Sequence, residues 1–436
     1  MENVLTYLEQ DARAFPQKTA IRMDDQSLSF QELHDASRRL GAWLIAQGIT
    51  HRPVAVLAER RIETPILFFG VLYAGNSYVP LDPELPTCKR ETILAEIGSS
   101  FVLDATMIPT TGDPSAVAVP EHGGPVNIVF TSGSTGKPKG VVKSHEAQID
   151  FIETYVKTFG FDSSEVIGNQ TPFFFDASGK DLYLMLKTGA TLDLIPHRLF
   201  MSTLDLVAYL DSHGITFISW VPSALVVVSK MNTFAYAIPK TLKRVFFVGE
   251  VMPLKHLERW RKALPHVQFV NLYGSSEIAG VACTYEVKGC EEGTLPMGRP
   301  LTNCRVHLVD GEIFLVSKAL AEGYYHDDER TTRAFALRDF GDGHPVRSFK
   351  TGDMAHYDER GNLVFDARTD FQIKHMGQRI ELGEIEVAAE AIPGISRAGC
   401  VYDRIHSKIV LFCEPAPGAV LVPSELTAAL KQRLSL

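Results

Sequence analysis

Residues 127–143 read NIVFTSGSTGKPKGVVK, and the reading of this stretch decides how the rest of the chain is understood. The apolar run Ile128-Val129-Phe130 predicts a buried strand. It breaks into Thr131-Ser132-Gly133-Ser134-Thr135-Gly136, a loop of small residues and hydroxyls, followed by Lys137, Lys139 and Gly140. Glycines let backbone N–H groups converge on an anion, hydroxyls add donors, and lysines add positive charge. A polyphosphate needs that combination. The loop is not of the Walker A kind, because the spacing G-x-x-x-x-G-K-[ST] is not met. Loops of this composition also occur as solvated surface turns, so the chemistry has to find support elsewhere in the chain.

Working outward, the pattern alternates between strand and helix. Val4, Leu5, Leu8 and Ala12 recur at helical spacing, and Pro16 stops that helix. Residues 19–23 and 28–30 are short strand candidates. Leu33, Ala36, Leu40, Trp43 and Leu44 mark an amphipathic helix ending before Gly48. A strand at 53–58, a helix at 62–73 and a strand at 77–81 follow. Residues 105–125 are rich in proline and glycine without a period, which predicts an exposed connection. Beyond the loop come a helix at 146–158, a strand at 191–195, a helix at 203–213, a strand at 216–219, a helix at 222–229, a strand at 244–248, a helix at 255–263 and a strand at 267–271. Such alternation predicts an α/β fold of doubly wound sheets. Past Gly298 the pattern turns to β, with a tight hairpin expected around Asp310-Gly311. A small last unit is expected from Asp370, with a strand at 371–374, a helix at 382–391, strands at 397–402 and 409–413, and a helix at 424–433.

Composition narrows the function classes. A chain of 436 residues is too long for one ordinary core. Apolar content of 45% and charged content of 22% are those of a soluble globular enzyme. The net charge of −9 argues against a nucleic-acid partner, which would require a broad basic footprint. Cys88, Cys283, Cys290, Cys304, Cys400 and Cys413 form no C-x-x-C pair and no zinc pattern, so they are expected as free thiols in a reducing, cytoplasmic setting. The N-terminus MENVLTYLEQDARAFP carries acids and no apolar core of signal length. The longest apolar stretch, near residues 65–74, is too short to span a bilayer, so no membrane partner is expected.

A second cluster stands at Asn271-Leu272-Tyr273-Gly274-Ser275-Ser276-Glu277. An aromatic, a glycine turn, hydroxyls and a carboxylate after a strand make a ligand site at the carboxyl edge of an α/β sheet. Taken alone, the same residues could be a strand-end turn with a solvated glutamate. A carboxylate near phosphates is where magnesium binds.

TSGSTGKPKG resembles the phosphate loop of the adenylate-forming (ANL) superfamily, and specifically the adenylation domains of nonribosomal peptide synthetases. VLYAGNSYVPLDPELP, NLYGSSE, FKTGD, ARTD and QRIELGEIE resemble further motifs of that family, in the family's order, so the resemblance covers nearly the whole chain. The family usually has Gly-Pro-Thr-Glu where this chain has Gly-Ser-Ser-Glu, Arg where Lys350 stands, and Gly where Ala367 stands. The resemblance implies a large N-terminal domain over residues 1–369, with its β-rich part at about 298–369, and a small α+β C-terminal domain over 370–436, with Asp370 as hinge. It implies catalytic roles for Thr131, Lys139, Ser276 and Glu277, and phosphate binding by Ser132, Gly133, Ser134, Thr135, Gly136 and Lys137. Gly249 and Glu250 would flank the adenine. Asn271 would meet its edge and Tyr273 would pack on it. Ser276 would touch the α-phosphate and Glu277 would hold Mg²⁺. Asp353 would accept both ribose hydroxyls and Arg368 would reach the ribose.

The implied reaction is attack of a carboxylate on the α-phosphorus of ATP, followed by transfer of the acyl group to the phosphopantetheine thiol of a carrier protein. Asp176 occupies the position that binds the α-ammonium of an amino acid substrate. The remaining pocket, carried over by register, would be Ala177, Lys180, Ser219, Phe246, Val248, Leu272, Gly280 and Val281. A lysine facing a cavity needs an anion, so Lys180 predicts an acidic substrate side chain, glutamate first; otherwise it snorkels to solvent. The family's terminal Asn-Gly-Lys-like motif has no counterpart before Leu436, and Lys408 and Lys431 lie in other contexts. The expectation is a trimmed or naturally short domain with slow adenylation, since a charge-stabilising donor is missing. Two alternatives remain at this point: an aryl- or fatty-acyl CoA ligase of the same superfamily, and a non-catalytic nucleotide-binding scaffold.

Overall fold

The architecture was obtained from a computed structural model, which describes residues 3–121, 124–133, 137–375, 378–403 and 408–434. Two mixed sheets carry most of the described chain. In the nine-stranded sheet, Gln268–Tyr273, Arg244–Val248, Phe217–Trp220, Val166–Asn169, Thr191–Leu194 and Thr19–Met23 run parallel as neighbours. Antiparallel strands close its edges, Cys283–Glu286 and Arg299–Pro300 on one side and Gln26–Ser29 on the other. The six-stranded sheet is built on Pro53–Leu57, Ser77–Leu81 and Pro125–Thr131. These central strands are buried on both faces, which is why they read as continuous apolar runs rather than as an alternation.

The helices that cover the sheets follow their sequence signals. Phe30–Ala46 begins at Ser29, whose hydroxyl accepts from the Glu32 backbone while Glu32 returns to the Ser29 N–H. That capping box converts residue 30 into a helix start, where the sequence had suggested the end of a strand. Leu33, Leu40 and Leu44 are fully buried along its inner face. The fully buried helix Thr64–Tyr73 crosses it closely because Gly41 and Gly70 lie at the contact. A Cβ on Gly70 would come within 2.5 Å of Leu40 Cδ2. The hydroxyls of Tyr78 and Tyr183 meet at 2.9 Å in the core, and the Asn127 amide donates to Tyr78 at 2.9 Å, so the strand entering the loop is pinned from below.

The loop of residues 132–138 joins two antiparallel strands, Pro125–Thr131 and Lys139–Ser144, with Thr131 opposite Lys139. The helix His145–Phe159 starts only after the second strand, capped by the Ser144 hydroxyl. The helix Thr87–Glu96 was not expected from the sequence, since only Ile93 of its residues is buried. The connection at 105–125 holds two short 3₁₀ turns, Ala105–Met107 and Pro114–Ala116, each capped by an aspartate.

A five-stranded antiparallel sheet follows. Its hairpin, Cys304–Val309 with Glu312–Ser317, turns at Asp310 and Gly311, both at positive φ as a two-residue turn of this kind requires. The last unit has a hydrophobic cluster of its own, centred on Leu382, Ile385, Ala389 and Leu430. It contains the hairpin Gln372–His375 with Gln378–Glu381, whose second strand was not expected, and the antiparallel pair Ile395–Asp403 with Lys408–Pro415. This unit lies against the large one. The Lys89 ammonium meets the Glu384 carboxylate at 2.5 Å, and the Ser132 hydroxyl donates to the Arg379 carbonyl at 2.6 Å. Among the described residues no helix is long and apolar enough to cross a membrane.

Candidate active site

A cavity of about 280 Å³ opens where the carboxyl ends of the strands, the loop of residues 132–138 and the last unit converge. Strand-end turns put Thr131, Ser132, Val248, Gly249, Gly274 and Ser276 on its wall. Asp176, Ala177 and Lys180 come from the start of the helix Ala177–Thr188, and Gly280 and Val281 from the segment between the strands Gln268–Tyr273 and Cys283–Glu286. Asp353 and Arg368 are also on the wall. The last unit contributes Lys374, Gln378, Arg379 and Ile380. A single space is therefore lined by hydroxyls, carboxylates and cations drawn from nearly the whole length of the chain.

Glu277 is the most enclosed charge here, with no exposed surface. The Arg379 guanidinium donates to both of its oxygens, at 2.8 and 2.7 Å, and the Tyr324 hydroxyl donates to Oε1 at 2.9 Å. The Lys139 ammonium stands 3.6 Å away. Burial alone would push this carboxyl up, but the Arg379 and Lys139 charges and these hydrogen bonds hold it well below the usual carboxylate range. Burial pulls the Lys139 ammonium down, with Arg379 adding repulsion and Glu277 opposing. A single hard carboxylate fits Mg²⁺ only together with phosphate oxygens. Among the described residues no group of three or more His, Cys, Asp or Glu side chains gathers for a metal. Arg379 covers both Glu277 oxygens, so an ion could use this carboxylate only once the arginine has withdrawn.

Elsewhere at the site, the Tyr273 hydroxyl donates to Asp353 Oδ2 at 2.5 Å, and Arg368 pairs with Asp353 Oδ1. Arg368 also donates from Nε to Asp370 at 2.7 Å, which ties the expected hinge residue to the cavity wall. Burial lowers the Arg368 guanidinium, but Asp370 and Asp353 more than compensate and hold it above its ordinary value. The Lys374 ammonium sits 5.8 Å from the centre of the Tyr273 ring.

The structure separates the other expected residues into those at the cavity and those behind it. Tyr273 presents its hydroxyl to Asp353 instead of lining the cavity with its ring. Asn271 does not line it either; its amide donates to the Pro296 carbonyl at 2.7 Å. Ser219, Phe246 and Leu272 are buried in the sheet behind the wall, where Phe246 packs against Phe159, Phe161 and Phe217. Glu250 accepts from the Ser223 backbone at 2.9 Å, outside the wall. Gly133 is buried, and Lys137 and Lys139 line a separate hollow with Tyr324 and Arg330. Ser134, Thr135 and Gly136 lie outside the described residues. Gly280 is required by its neighbours: its φ is +98°, and a Cβ would stand 2.3 Å from the Phe151 ring.

Lys180 calls for a correction. It is buried, as expected of a residue facing this pocket, but its anion is the adjacent Asp181, itself fully buried and held by the Asn169 amide at 3.0 Å. The argument for an acidic substrate side chain assumed a lysine without a partner, and so loses its basis. Snorkelling is excluded too, since the ammonium end is buried 6.0 Å from the Phe217 ring centre. A second lysine was overlooked. Lys143, on the strand Lys139–Ser144, is buried and forms an ion pair with Asp176. Burial pulls its ammonium down to about 7, with Glu277 pulling the other way. The lysine directly after the apolar pair Val141-Val142 was the available signal. Arg379 and Tyr324 were missed because they approach Glu277 from 102 and 47 residues away in sequence.

The AMP-binding enzyme family matches residues 8–325. The chain belongs to that family. It is an adenylate-forming ligase of the ANL superfamily, and its fold is α/β with the large N-terminal adenylation architecture. It is 30% identical to a D-alanine--D-alanyl carrier protein ligase of Bacillus cereus (strain B4264), over 99% of this chain and 92% of that protein. It is 27% identical to a mycosubtilin synthase polypeptide of Bacillus subtilis, over 98% of this chain but only 18% of the synthase polypeptide, so it spans less than a fifth of that relative. The Vibrio cholerae adenylation domain AlmE, solved in complex with glycyl-adenosine-5'-phosphate, shares the fold with a TM-score of 0.86 at 21% identity, over 99% of this chain and 92% of that one.

Proposed function

We propose that this chain activates a small 2-substituted carboxylic acid with ATP, releases pyrophosphate, and passes the acyl group from the adenylate to the phosphopantetheine thiol of a carrier protein, releasing AMP. The observation that carries this reading is the shared cavity. Its wall brings together the hydroxyls of Thr131, Ser132 and Ser276 and the carboxylates of Asp353 and Asp176. Adenosine would lie toward Asp353, the phosphates along the hydroxyls, and the acid toward Asp176. A carrier-protein ligase and a synthase polypeptide among the relatives support the choice of acceptor.

A substrate carboxylate oxygen forms a bond to the α-phosphorus as the bond to pyrophosphate breaks. The enzyme contributes position and charge rather than covalent chemistry. Thr131, Ser132 and Ser276 donate toward phosphate oxygens, and Lys139 adds positive charge beside Glu277. Mg²⁺, held by Glu277 and nucleotide oxygens, would neutralise phosphate charge when bound. For that, Arg379 must leave Glu277, so the last unit would lift from the cavity in the first half-reaction and return for the second, with Asp370 as the hinge. Asp353 would exchange its Tyr273 and Arg368 partners for the ribose hydroxyls.

The test is acid-dependent exchange of labelled pyrophosphate into ATP over a panel of small 2-substituted carboxylic acids. We expect exchange with some of them and its loss in Asp353→Ala. Exchange with no acid, together with no ATP binding by calorimetry, would refute the proposal.

A further inference from the structure

On the adenylation reading the acid lies against Asp176, and there Asp176 is paired with Lys143. Asp176 lines the cavity; Lys143 reaches it from the strand behind and does not line the cavity itself. The lysine side chain is only 3% exposed and the aspartate 16%. One Asp176 oxygen, Oδ1, is thus committed to an internal ammonium, and the carboxylate is neutralised before any substrate arrives.

The surrounding charges do not restore a negative field. Lys180 and Asp181 cancel each other, and Glu277 is matched by Arg379 and Lys139 together. A substrate that also carried an α-ammonium would bring a second cation to a carboxylate already paired with Lys143, which is costly where solvent screens little. Asp176 keeps the ability to accept a hydrogen bond on its second oxygen. It reads the α-substituent as a neutral donor rather than as a cation.

Resting on the adenylation reading above, we propose that Lys143 is a specificity-determining residue that stands in for a substrate ammonium, so that the acid activated is a 2-hydroxy acid in preference to the matching 2-amino acid. The hydroxyl donates to Asp176 without adding charge. A 2-oxo acid, which can only accept, would face the aspartate oxygen unfavourably.

The test uses two stable mimics of the acyl adenylate, the lactyl and alanyl sulfamates of adenosine, titrated calorimetrically into the intact chain and into Lys143→Met. In the wild type the lactyl compound should bind at least about tenfold more tightly. In Lys143→Met, where Asp176 is left without its ammonium, the order should reverse. Tighter binding of the alanyl compound by the wild type overturns the inference while leaving the adenylation reading intact. An order unchanged in Lys143→Met also overturns it. Should neither compound bind the wild type better than AMP does, the adenylation reading fails and this inference fails with it. Should Lys143→Met not fold, the wild-type order alone decides.

Discussion

Removing the Arg379 side chain should release the last unit from the cavity. The Arg379→Met substitution keeps length and apolar volume but deletes two charge-assisted hydrogen bonds, of 2.8 and 2.7 Å, to a carboxylate with no exposed surface. Breaking one side of a buried ion pair costs about 3–5 kcal/mol. Glu277 retains the Tyr324 hydroxyl at 2.9 Å and the Lys139 ammonium at 3.6 Å, which places the cost at the lower end, about 3 kcal/mol. The chain can recover that cost by letting the hairpin Gln372–Glu381 lift, so that water reaches Glu277. The effect therefore falls on docking of the last unit rather than on the stability of the large one. At about 1.4 kcal/mol per factor of ten, the hairpin amides should exchange with deuterium roughly a hundredfold faster. Amides of the strand Gln268–Tyr273 should be unaffected and serve as the internal control. The clasp also has a defined pH window. The folded Glu277 carboxyl lies below its ordinary value of 4.5, so its contribution is complete above that value and is lost only as pH falls through the depressed one. Wild-type hairpin exchange, corrected for intrinsic rate, should thus be flat between about pH 5 and 8. Hairpin exchange in Arg379→Met within threefold of wild type would refute the reasoning, because it would mean that the pair contributes nothing to docking.

Two further outcomes follow from buried charges. Asp11 is buried, its Oδ2 has no hydrogen-bond partner, and burial raises its carboxyl to about 7 against the pull of Lys18. A raised acid destabilises the fold fully above its folded value and not at all below its unfolded one. Asp11→Asn should therefore raise the unfolding free energy at pH 8, by at most about 4 kcal/mol, and by progressively less toward pH 4; urea titrations at both pH values check this, and an equal gain at both would contradict it. Lys180→Met should cost about 3–5 kcal/mol by leaving Asp181 charged and buried, while the double substitution with Asp181→Asn should cost less than the single one. Denaturant unfolding of the two variants decides, and a double variant no more stable than Lys180→Met would refute the internal pairing.

Much of the fold was legible because its signals are local. Ile128-Val129-Phe130, the run from Arg244 to Val248 and the apolar spacing of Leu33, Leu40 and Leu44 each fix one element through neighbours in sequence. The turn at Asp310-Gly311 needed only the tolerance of those residues for positive φ. The helix Thr87–Glu96 was missed for the converse reason, since a solvated helix carries little apolar pattern. The strand Gln378–Glu381 was missed because its side chains, Gln, Arg, Ile and Glu, give no alternation clear enough to separate it from a loop.

The residue types for phosphate, carboxylate and cation chemistry were set by the sequence alone, because glycine loops, hydroxyls and acids at strand ends have intrinsic properties that travel with them. Partnership was not. Lys180 looks unpaired until the helix turns it toward Asp181, and Asp176 looks free until Lys143 arrives from a strand 33 residues earlier. Glu277 looks open to a metal until Arg379 closes on it from the last unit. A charge's meaning depends on its distance to other charges and on whether water can reach it. Both quantities are fixed only when distant segments pack together, so the tertiary structure alone decided which of these groups remain available to a substrate.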